Sequence, residues 1–552
     1  MGANISESIP HSVWWGWGDP ARATPLSPEI LTLLRERFHY NADAILSPPV
    51  ALEDVVLGEG ALDAESEELL RGIVGAPYIS AARLDRVVHA GGKNTPDLLR
   101  RRGGDARDAP DAVVYPGSAA EVLAVLALCS ERRIAVVPFG GGTSVVGGVE
   151  PLRDRFTHLI TLDLSRLNRL LSVDPVSRTA TFEAGIRGPA IEAALAAHNF
   201  TLGHLPQSHQ EASLGGYAAT RSAGQASTGY GSSDELITGL RVQTPRGELR
   251  LGGRAPASAA GPDLRELFLG SEGVLGVITE VTVRISPRVT AKSYGAWAFS
   301  SFEAGAEALR RLAQDAPAGD IPEVCRLSDA EETELNLAMS GSSSVRTLRR
   351  YLAARGLTHP ALALFVWEGS DGRTRSRRRR ISRLLRRAGG VWVTAGPAQA
   401  WDRGRFGAPY LRDELLGRGV FVETLETAAL WSNLAATHAA VSGAIRAALV
   451  EGDAPCAIQG HISHLYPEGA SLYFTFIAAA ESDPFAQYAR VKAAASEAIV
   501  AAGATISHHH AVGLEHAPYL EAEIGALGVR ALAGVKAVLD PEGILNPRKL
   551  LG

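Results

Sequence analysis

The chain has few of the features that mark secreted, membrane-spanning or nucleic-acid-binding proteins. Its 552 residues include only three cysteines, Cys129, Cys325 and Cys456, an odd number at distant positions, which excludes a disulfide framework and suits a reducing compartment. No uncharged apolar run reaches the ~18 residues of a spanning helix, and residues 1–8 lack the basic start and apolar core of a secretory signal. The net charge of −5 is spread along the chain, which argues against a nucleic-acid partner. We therefore expect a cytoplasmic protein, and the frequent Arg and Ala are typical of a GC-rich bacterial genome.

Glycine, in contrast, is plentiful and is concentrated in loops. Val136-Val137-Pro138-Phe139-Gly140-Gly141-Gly142-Thr143-Ser144-Val145-Val146-Gly147-Gly148 joins the end of a strand pattern to a run of turn residues. Successive glycines allow positive φ and close approach, so backbone N–H groups with the Thr143 and Ser144 hydroxyls predict a concave site for a phosphate or pyrophosphate. No Gly-Lys-Ser/Thr follows, and no helix or ribose-binding acid follows either, so neither a Walker nor a Rossmann loop fits. An ordinary glycine-rich turn remains the alternative.

Two further small-residue regions, 206–231 and 270–278, follow within the same strand-rich part of the chain. Strand patterns occupy 112–115, 134–137, 158–163, 169–173 and 179–184, with helices after Ser118 and at 188–198. Because the strands do not alternate regularly with helices, the pattern predicts an α+β unit. Three such loops on one unit suit a large cofactor with a pyrophosphate and rings at both ends.

The flanking regions have different patterns. Residues 28–37 and 65–74 have helical periodicity, Arg83 to Arg102 has the polar pattern of a loop, and Trp14-Trp15-Gly16-Trp17-Gly18 is interpreted as a packing anchor. From about residue 289, strands (293–299, 361–367, 471–478) alternate with helices (302–314, 429–449, 484–502), which suits an antiparallel sheet with helices on one face. Nine arginines lie between Arg373 and Arg387; a solvated helix is favoured there over a membrane-surface helix.

The loop motifs carry a family resemblance. Pro-x-Gly-Gly-Gly-Thr-Ser, then Gly-Gly-x-x-x-Thr-Arg-Ser-Ala-Gly, then Gly-Ser-Glu-Gly-x-Leu-Gly-Val-Ile-Thr, with the closing segment 539–550, resemble the FAD-binding domain of the vanillyl-alcohol oxidase (PCMH-type) flavoproteins. The resemblance implies an α+β fold with a helical region over 1–108, a two-subdomain PCMH-type FAD-binding domain over 109–288, a substrate cap over 289–505 and a C-terminal segment over 506–552. The first loop has no histidine, so we expect non-covalent FAD. The implied FAD contacts are Pro138, Phe139, Gly140, Gly141, Gly142, Thr143, Ser144, Gln207, Ser208, Ser213, Gly216, Thr220, Arg221, Ser222, Ala223, Glu272, Gly273, Val274, Leu275, Gly276, Val277 and Ile278.

Three consecutive histidines, His508, His509 and His510, lie between small and apolar residues. If this stretch is extended, His508 and His510 share one face and His509 faces the other way. The three would then reach different partners, so we expect no metal site from them.

Within the superfamily, Ser-His-His-His-x-x-Gly resembles the alkyldihydroxyacetonephosphate synthases. The Trp/Gly motif, Cys325-Arg326-Leu327-Ser328-Asp329, Tyr410-Leu411-Arg412-Asp413, Val422-Glu423-Thr424 and Gly469-Ala470-Ser471-Leu472-Tyr473-Phe474 are similar to segments of that family. The resemblance implies an FAD-dependent transferase of ether lipid synthesis, which exchanges the acyl group of acyl-dihydroxyacetone phosphate for a long-chain alcohol without net redox change.

The resemblance also implies residue roles. Tyr473 would remove a proton from carbon 1, with Arg412 as the cation that lowers its pKa. His508, His509 and His510 would relay protons, since imidazole titrates near neutral pH. Arg412 or Arg326 would bind the substrate phosphate through a planar fork, and His461 would contact the substrate.

The chain departs from the family at Gln207, Gln210 and His461, where acidic residues and an arginine are usual. The change at His461 favours a second hypothesis, an FAD-dependent D-2-hydroxy-acid dehydrogenase or oxidase. A third is a flavin-binding protein without catalysis, against which the ionisable Tyr473 and histidines argue. We expect a small-molecule or lipid substrate, with peripheral contact to the inner membrane surface and a homodimer as open options.

Overall fold

The computed structural model describes residues 12–23, 25–38, 48–60, 62–339, 343–450 and 455–552. The predicted lack of a secretory signal concerns residues 1–8, which lie outside these ranges. Within them, no helix is long and apolar enough to cross a membrane.

The described residues form mixed helix and sheet. The strands are β1 Val56–Leu57, β2 Ile79–Ser80, β3 Asp105–Ala106, β4 Ala112–Val114, β5 Ile134–Phe139, β6 His158–Asp163, β7 Leu170–Asp174, β8 Thr179–Glu183, β9 Phe200–Thr201, β10 Ile237–Thr244, β11 Gly247–Gly252, β12 Val277–Arg284, β13 Ser286–Pro287, β14 Ala291–Phe299, β15 Val324–Ser328, β16 Ala361–Gly369, β17 Val391–Thr394, β18 Val420–Leu430, β19 Cys456–Leu465 and β20 Gly469–Ala479. The α-helices are α1 Pro28–Phe38, α2 Ala64–Val74, α3 Arg83–Val88, α4 Thr95–Arg102, α5 Ala119–Arg132, α6 Gly188–Ala196, α7 Leu214–Thr220, α8 Ser227–Tyr230, α9 Ser233–Leu236, α10 Arg265–Phe268, α11 Phe302–Asp315, α12 Ala330–Met339, α13 Ser343–Ala353, α14 Asp371–Arg387, α15 Gly396–Gly404, α16 Ala408–Leu416, α17 Leu434–Val450, α18 Pro484–Ala501 and α19 Leu520–Leu539.

A four-stranded sheet of order β2-β4-β6-β5 delivers the first glycine loop. Helix α5 packs through apolar residues and begins at Ser118, whose Oγ accepts a hydrogen bond from Glu121 N at 3.2 Å. The outer edge of β5 is covered by a segment from the far end of the chain: Val136 N donates to Ile544 O and Asn546 N donates to Val136 O, both at 2.8 Å. Residues about 400 positions apart therefore complete this sheet.

A five-stranded antiparallel sheet of order β11-β10-β12-β8-β7 follows. Its core is shared with α6 and α7 and is dense in buried apolar side chains such as Phe182, Leu240 and Val281. The two sheets form the two halves of the first domain, and the second and third small-residue loops lie between them and the rest of the molecule.

The second domain is a seven-stranded antiparallel sheet of order β17-β14-β16-β15-β19-β20-β18. Alternate residues of its strands, including Leu327, Phe365 and Phe474, pack in one core with α11, α14, α17 and α18. Because successive side chains of a strand point to opposite faces, the polar residues between them face away from these helices. This polar face closes the cavity described below.

Most predicted elements are confirmed, and one is wrong. The strands near 134, 158 and 179 and the helices near 28, 302 and 484 are present within a few residues of their predicted ends. The expected loop at Arg83–Arg102 instead contains α3 and α4. Its polarity is explained by burial with partners: Asn94 caps α4 through Asp97 N at 2.8 Å, and the buried Arg101 donates to Gly91 O at 3.1 Å.

Two unusual sequence features also have clear structural explanations. Trp14 and Trp17 are buried, and Trp17 N donates to Asp413 of α16, so the Trp/Gly motif is a packing anchor as predicted. The arginine-rich α14 packs on the sheet through Ile381 and Leu385, and Arg377 donates to Glu368 O at 3.0 Å.

Candidate active site

A cavity of about 1580 Å³ lies between the first domain and the polar face of the second-domain sheet. Single ligands occupy pockets of roughly 300–1,000 Å³, so the cavity has room for a large cofactor together with a substrate. All three glycine-rich loops contribute to its walls.

The first two glycines of the 140–144 loop are required by contact with another loop of the chain. A Cβ at Gly140 would clash with Ser213 Oγ, and one at Gly141 would clash with the backbone of Glu211. Gly142 has φ of +62°, which a side chain would strain. Besides the ligand approach expected from the sequence, these glycines let the first and second loops pack against each other closely.

Most predicted FAD contacts line the cavity, and three do not. Val274 and Leu275 are buried in the core of the five-stranded sheet. Arg221 lies outside the lining; its guanidinium donates to Asp234 Oδ2 at 3.1 Å, to Glu266 and to Leu269 O at 3.2 Å. The predicted contacts that do line the cavity are Pro138, Phe139, Gly140, Gly141, Gly142, Thr143, Ser144, Gln207, Ser208, Ser213, Gly216, Thr220, Ser222, Ala223, Glu272, Gly273, Gly276, Val277 and Ile278.

Glu272 connects the third loop to the C-terminal segment. Its Oε2 accepts hydrogen bonds from Val512 N at 3.1 Å and Gly513 N at 2.9 Å, and its backbone carbonyl accepts one from Asn546 Nδ2 at 2.7 Å. Burial raises the pKa of its carboxyl to about 7. Glu272 therefore holds residues 512–513, which lie two and three residues after the last histidine, against the cofactor side of the cavity.

The polar lining fits FAD. Gln225 Nε2 donates to Gln207 Oε1 at 3.0 Å, while Gln207 Nε2 and Gln225 Oε1 are buried without a hydrogen-bond partner among the described residues. Both side chains line the cavity, so a ring edge with donors and acceptors would satisfy them. With the backbone-walled loop 140–144 beside them, the residues present suit a flavin at one end and a pyrophosphate at the other.

On the opposite wall, strand register sets three ionisable side chains in one row. His461 of β19 pairs with Tyr473 of β20, and Tyr473 pairs with Glu426 of β18. Directly opposed residues of antiparallel strands project to the same face, and the rings of His461 and Tyr473 stack with centroids 5.1 Å apart. The row continues to the histidine triplet, since the His509 ring stacks on Tyr473 at 6.1 Å.

Arg326, His461 and Glu332 form a second cluster beside Tyr473. Arg326 Nη1 donates to His461 Nε2 at 2.8 Å, and its Nη2 pairs with Glu332, whose other oxygen lies 3.0 Å from His461 Nδ1. Burial opposes ionisation of Glu332, but Arg326 and His461 hold the pKa of its carboxyl well below its ordinary value. The predicted substrate contacts Arg326 and His461 are therefore brought together, oriented by a carboxylate that the sequence analysis missed.

Arg412 does not have the role predicted for it beside Tyr473. It lines the cavity, but its Nη1 donates to Lys93 O at 2.7 Å and its Nη2 to Asp413 Oδ1 at 3.0 Å. The cation that lowers the pKa of Tyr473 is Arg326. Arg412 lies on helix α16 and contacts residues 93 and 413. Arg326 lies on strand β15, on the same face of the sheet as Tyr473.

Tyr473 is a neutral phenol in this environment. Burial raises its pKa to about 12, and the nearby carboxylates of Glu423 and Glu426 raise it while Thr424 and Arg326 oppose them. A cation does lower this pKa, but it is Arg326 and not Arg412, and it does not offset the effect of burial; the role of Tyr473 as the base stays a prediction. A buried neutral phenol is suited to donating a hydrogen bond.

The histidine triplet curls around Glu426 and is not an extended strand. Glu426 Oε2 accepts from His508 N at 2.8 Å, and Oε1 accepts from His509 N at 3.0 Å and His510 N at 2.8 Å. Adjacent rings lie close, with centroid separations of 5.2 Å for His508–His509 and 4.8 Å for His509–His510. The condition for alternating faces, an extended backbone, is therefore not met, because one carboxylate accepts hydrogen bonds from all three backbone amides.

Burial keeps most of these imidazoles neutral. It lowers the pKa of His508 to about 4 and that of His510 well below the ordinary value. His508 Nε2 lies 2.6 Å from the Tyr466 hydroxyl and its Nδ1 lies 2.9 Å from His509 Nδ1. His509 and His510 line the cavity, whereas His508 lies behind them.

Glu426, His508 and His509 also offer three metal-ligand atoms within 4.8 Å of one another. The hydrogen bonds described above already occupy these atoms: the carboxylate receives backbone amides, and the two Nδ1 atoms face each other. The geometry thus permits a metal ion without requiring one.

The carboxylates Glu332 and Glu426 were missed by sequence reasoning. For Glu426 a signal existed, since Glu423-Thr424 is followed three residues later by a second pair, Glu426-Thr427. The first pair was matched to the family, while the second carries the carboxylate under the histidines. No local pattern marks Glu332, which is one of several acids in α12.

One arm of the cavity is apolar. Its side chains come from α1, α12, α13 and α16 and from β16 and β17 of the second-domain sheet, all of them remote from the glycine loops in sequence. The apolar side chains that line it include Ile30, Leu33, Leu34, Leu337, Met339, Val345, Leu348, Leu362, Leu364, Val393, Leu411 and Leu415.

Known proteins share both halves of this architecture. Residues 110–252 match the FAD binding domain family and residues 288–550 match the family described as FAD linked oxidases, C-terminal domain. The alkyldihydroxyacetonephosphate synthase of Trypanosoma brucei brucei is 33% identical over 87% of this chain and 80% of its own, and that of Dictyostelium discoideum is 33% identical over 85% and 78%. A solved alkyldihydroxyacetonephosphate synthase structure matches with a TM-score of 0.85 at 26% identity, covering 99% of this chain and 100% of the other.

Proposed function

The chain belongs to the alkyldihydroxyacetonephosphate synthase family and is an FAD-dependent enzyme, and from that premise we propose that it makes an ether bond. The substrates are an acyl-dihydroxyacetone phosphate and a long-chain alcohol. The bond between carbon 1 and the acyl oxygen breaks, a fatty acid leaves, and a bond from carbon 1 to the alcohol oxygen forms, so no net electrons are transferred.

The observation that carries this proposal is the meeting of three unlike walls at one cavity. Backbone-rich loops suit FAD, a row of ionisable side chains contains Tyr473 and His509, and an apolar arm suits a long alkyl chain. A small hydroxy acid has no long alkyl chain to occupy such an arm, which favours a lipid substrate over the D-2-hydroxy-acid alternative.

The chain's own residues divide the work. Arg326 and Arg412 line the cavity and provide guanidinium groups for a phosphate. FAD, when bound, supplies a nucleophilic ring nitrogen. We assign to His509 and His510 the removal of the protons from carbon 1 and from the alcohol. We assign to the neutral Tyr473 the role of a hydrogen-bond donor.

The test uses purified protein with its flavin, acyl-dihydroxyacetone phosphate and labelled hexadecanol. Labelled ether lipid formed without net flavin reduction supports the proposal; His509→Ala and Tyr473→Phe should each lower its formation on the order of 10²-fold with flavin retained. A matched control is Ser258→Ala, in an exposed loop remote from the cavity. Flavin bleaching by D-2-hydroxy acids with no ether product would instead establish the dehydrogenase.

We also propose non-covalent FAD, a cytoplasmic location, peripheral membrane contact and a homodimer as finer features of this function. The histidine-free loop 140–148 supports the first, and the apolar arm supports access from a lipid surface. Release of flavin into the supernatant on acid precipitation tests non-covalent binding, vesicle co-sedimentation tests membrane contact, and light scattering tests the homodimer.

A further inference from the structure

Glu426 occupies an unusual position for a carboxylate. It is buried at the end of the row across β19, β20 and β18, and four donors from four consecutive residues converge on it. Besides the amides of His508, His509 and His510, the Ser507 hydroxyl donates to Oε1 at 2.9 Å. Consecutive N–H groups wrapped around an anion form a nest, but here the anion is a side chain of the protein.

The same carboxylate is the nearest negative charge to all three imidazoles. The Nδ1 atoms of His508, His509 and His510 lie 3.8, 3.3 and 3.9 Å from its oxygens. Although burial opposes ionisation, the histidines hold the pKa of Glu426 well below its ordinary value. Its charge in turn opposes the lowering of the histidine pKa values that burial causes.

Other titratable groups near the triplet do not supply a comparable negative charge. Lys492 and His516 lower the pKa of His510, and His509 lowers the pKa values of His464 and His204, all of them basic groups. The phenols of Tyr466 and Tyr473 have pKa values raised to about 12 and stay neutral. Glu515 pairs with Lys492 at 3.2 Å, and Glu423 accepts from Thr95 N at 3.3 Å.

We infer that Glu426 is the positioning residue of the histidine triplet and the counter-ion of a proton carried there during turnover. It holds the backbone so that His509 and His510 face the cavity, and its charge stabilises the imidazolium that forms when a histidine accepts a proton. In the catalytic form this inference rests on the proposed function, but the electrostatic coupling can be measured without it.

The experiment compares Glu426→Gln with Glu523→Gln in the flavin-loaded protein. Glu523 is a matched control because its carboxylate holds the same segment two residues earlier, accepting from Thr505 Oγ1 at 2.8 Å and Ile506 N at 3.1 Å. Carbon-13 histidine spectra, assigned with His509→Gln, report the pKa values of His508 and His510. In Glu426→Gln both pKa values should fall further, because the charge that opposes the effect of burial is gone, and they should not move in Glu523→Gln.

Turnover provides the second readout. In Glu426→Gln, kcat should fall on the order of 10²-fold with KM little changed, and the limb of the pH profile that reports the triplet should move to lower pH. Glu426→Asp keeps the charge on a shorter side chain. It should lose turnover, while the pKa values of the histidines stay close to those of the wild type.

Two results would overturn the inference. One is unchanged histidine titration in Glu426→Gln, with a loss of kcat no larger than in Glu523→Gln. The other is a stoichiometric divalent metal in the wild type, detected by elemental analysis and lost in Glu426→Gln, which would make the carboxylate a ligand. If no ether lipid forms at all, the proposed function fails, while the spectra still decide the role of Glu426.

Discussion

The two walls of the cavity are built in different ways. The cofactor wall is made mainly of backbone, in loops where Gly140 and Gly141 permit chain segments to touch. The opposite wall is made of side chains, and its row of His461, Tyr473 and Glu426 exists only because three strands pair in one register. We therefore expect an added Cβ to disrupt the cofactor wall, and a change of charge to disrupt the opposite wall.

The largest effect should come from adding one methyl group to the backbone wall. Gly141→Ala places a Cβ against the Glu211 backbone, which cannot move as a flexible side chain would. We expect loss of bound flavin, measured by visible absorbance, and a lower Tm. Gly443→Ala in α17, where a Cβ meets nothing within 4 Å, is the control and should be neutral or slightly stabilising. Full flavin occupancy in Gly141→Ala would refute the backbone-wall description.

A smaller effect should come from acid, which acts on the side-chain wall. The pKa of His508 is lowered to about 4 by burial, against about 6.5 in an unfolded chain. Because the unfolded state then binds more protons, stability is full above pH 6.5 and is lost as the pH falls toward 4, on the order of 3 kcal/mol for this group.

Thermal unfolding at several pH values measures this dependence. His508→Gln should flatten the curve between pH 6.5 and 4 relative to wild type. Equal slopes for the two proteins would show that His508 is not held neutral in the folded state.

The smallest effect should come from Arg221, which lies in the second loop but outside the cavity lining. Its ion pairs with Asp234 and Glu266 are largely solvent-exposed, so we expect Arg221→Ala to cost below about 1 kcal/mol. Flavin content by absorbance should be unchanged. Loss of flavin would instead support the FAD contact that the motif predicts for Arg221.

These differences explain what could be predicted from the sequence. The glycine loops are local, so Pro138–Ser144 and Gly273 were identified from short motifs, and most of them line the cavity. Arg221 belongs to the same motif, but a motif carries no information on which way a long side chain points. The neighbours of Tyr473 depend on strand register between segments about 50 to 150 residues apart. Arg412 was therefore predicted to lower the pKa of Tyr473, whereas Arg326 is the cation that does so.

The helical content was predictable wherever apolar periodicity dominates, as in α11 and α18. It was missed in α3 and α4, because buried arginines in them, such as Arg86 and Arg101, are satisfied by backbone carbonyls outside these helices. The curl of the histidine triplet was missed for a related reason: a carboxylate on β18, some 80 positions earlier, supplies the acceptor for its amides.

The edge partner of β5 also bears on how the protein is made. Until a ribosome has synthesised residue 546, Val136 lacks its outer hydrogen bonds and Glu272 lacks the amides of 512 and 513. Contacts of such long sequence separation form late and slowly. A nascent or prematurely terminated chain therefore has no finished flavin site, and cofactor uptake reports that translation has run to the closing segment.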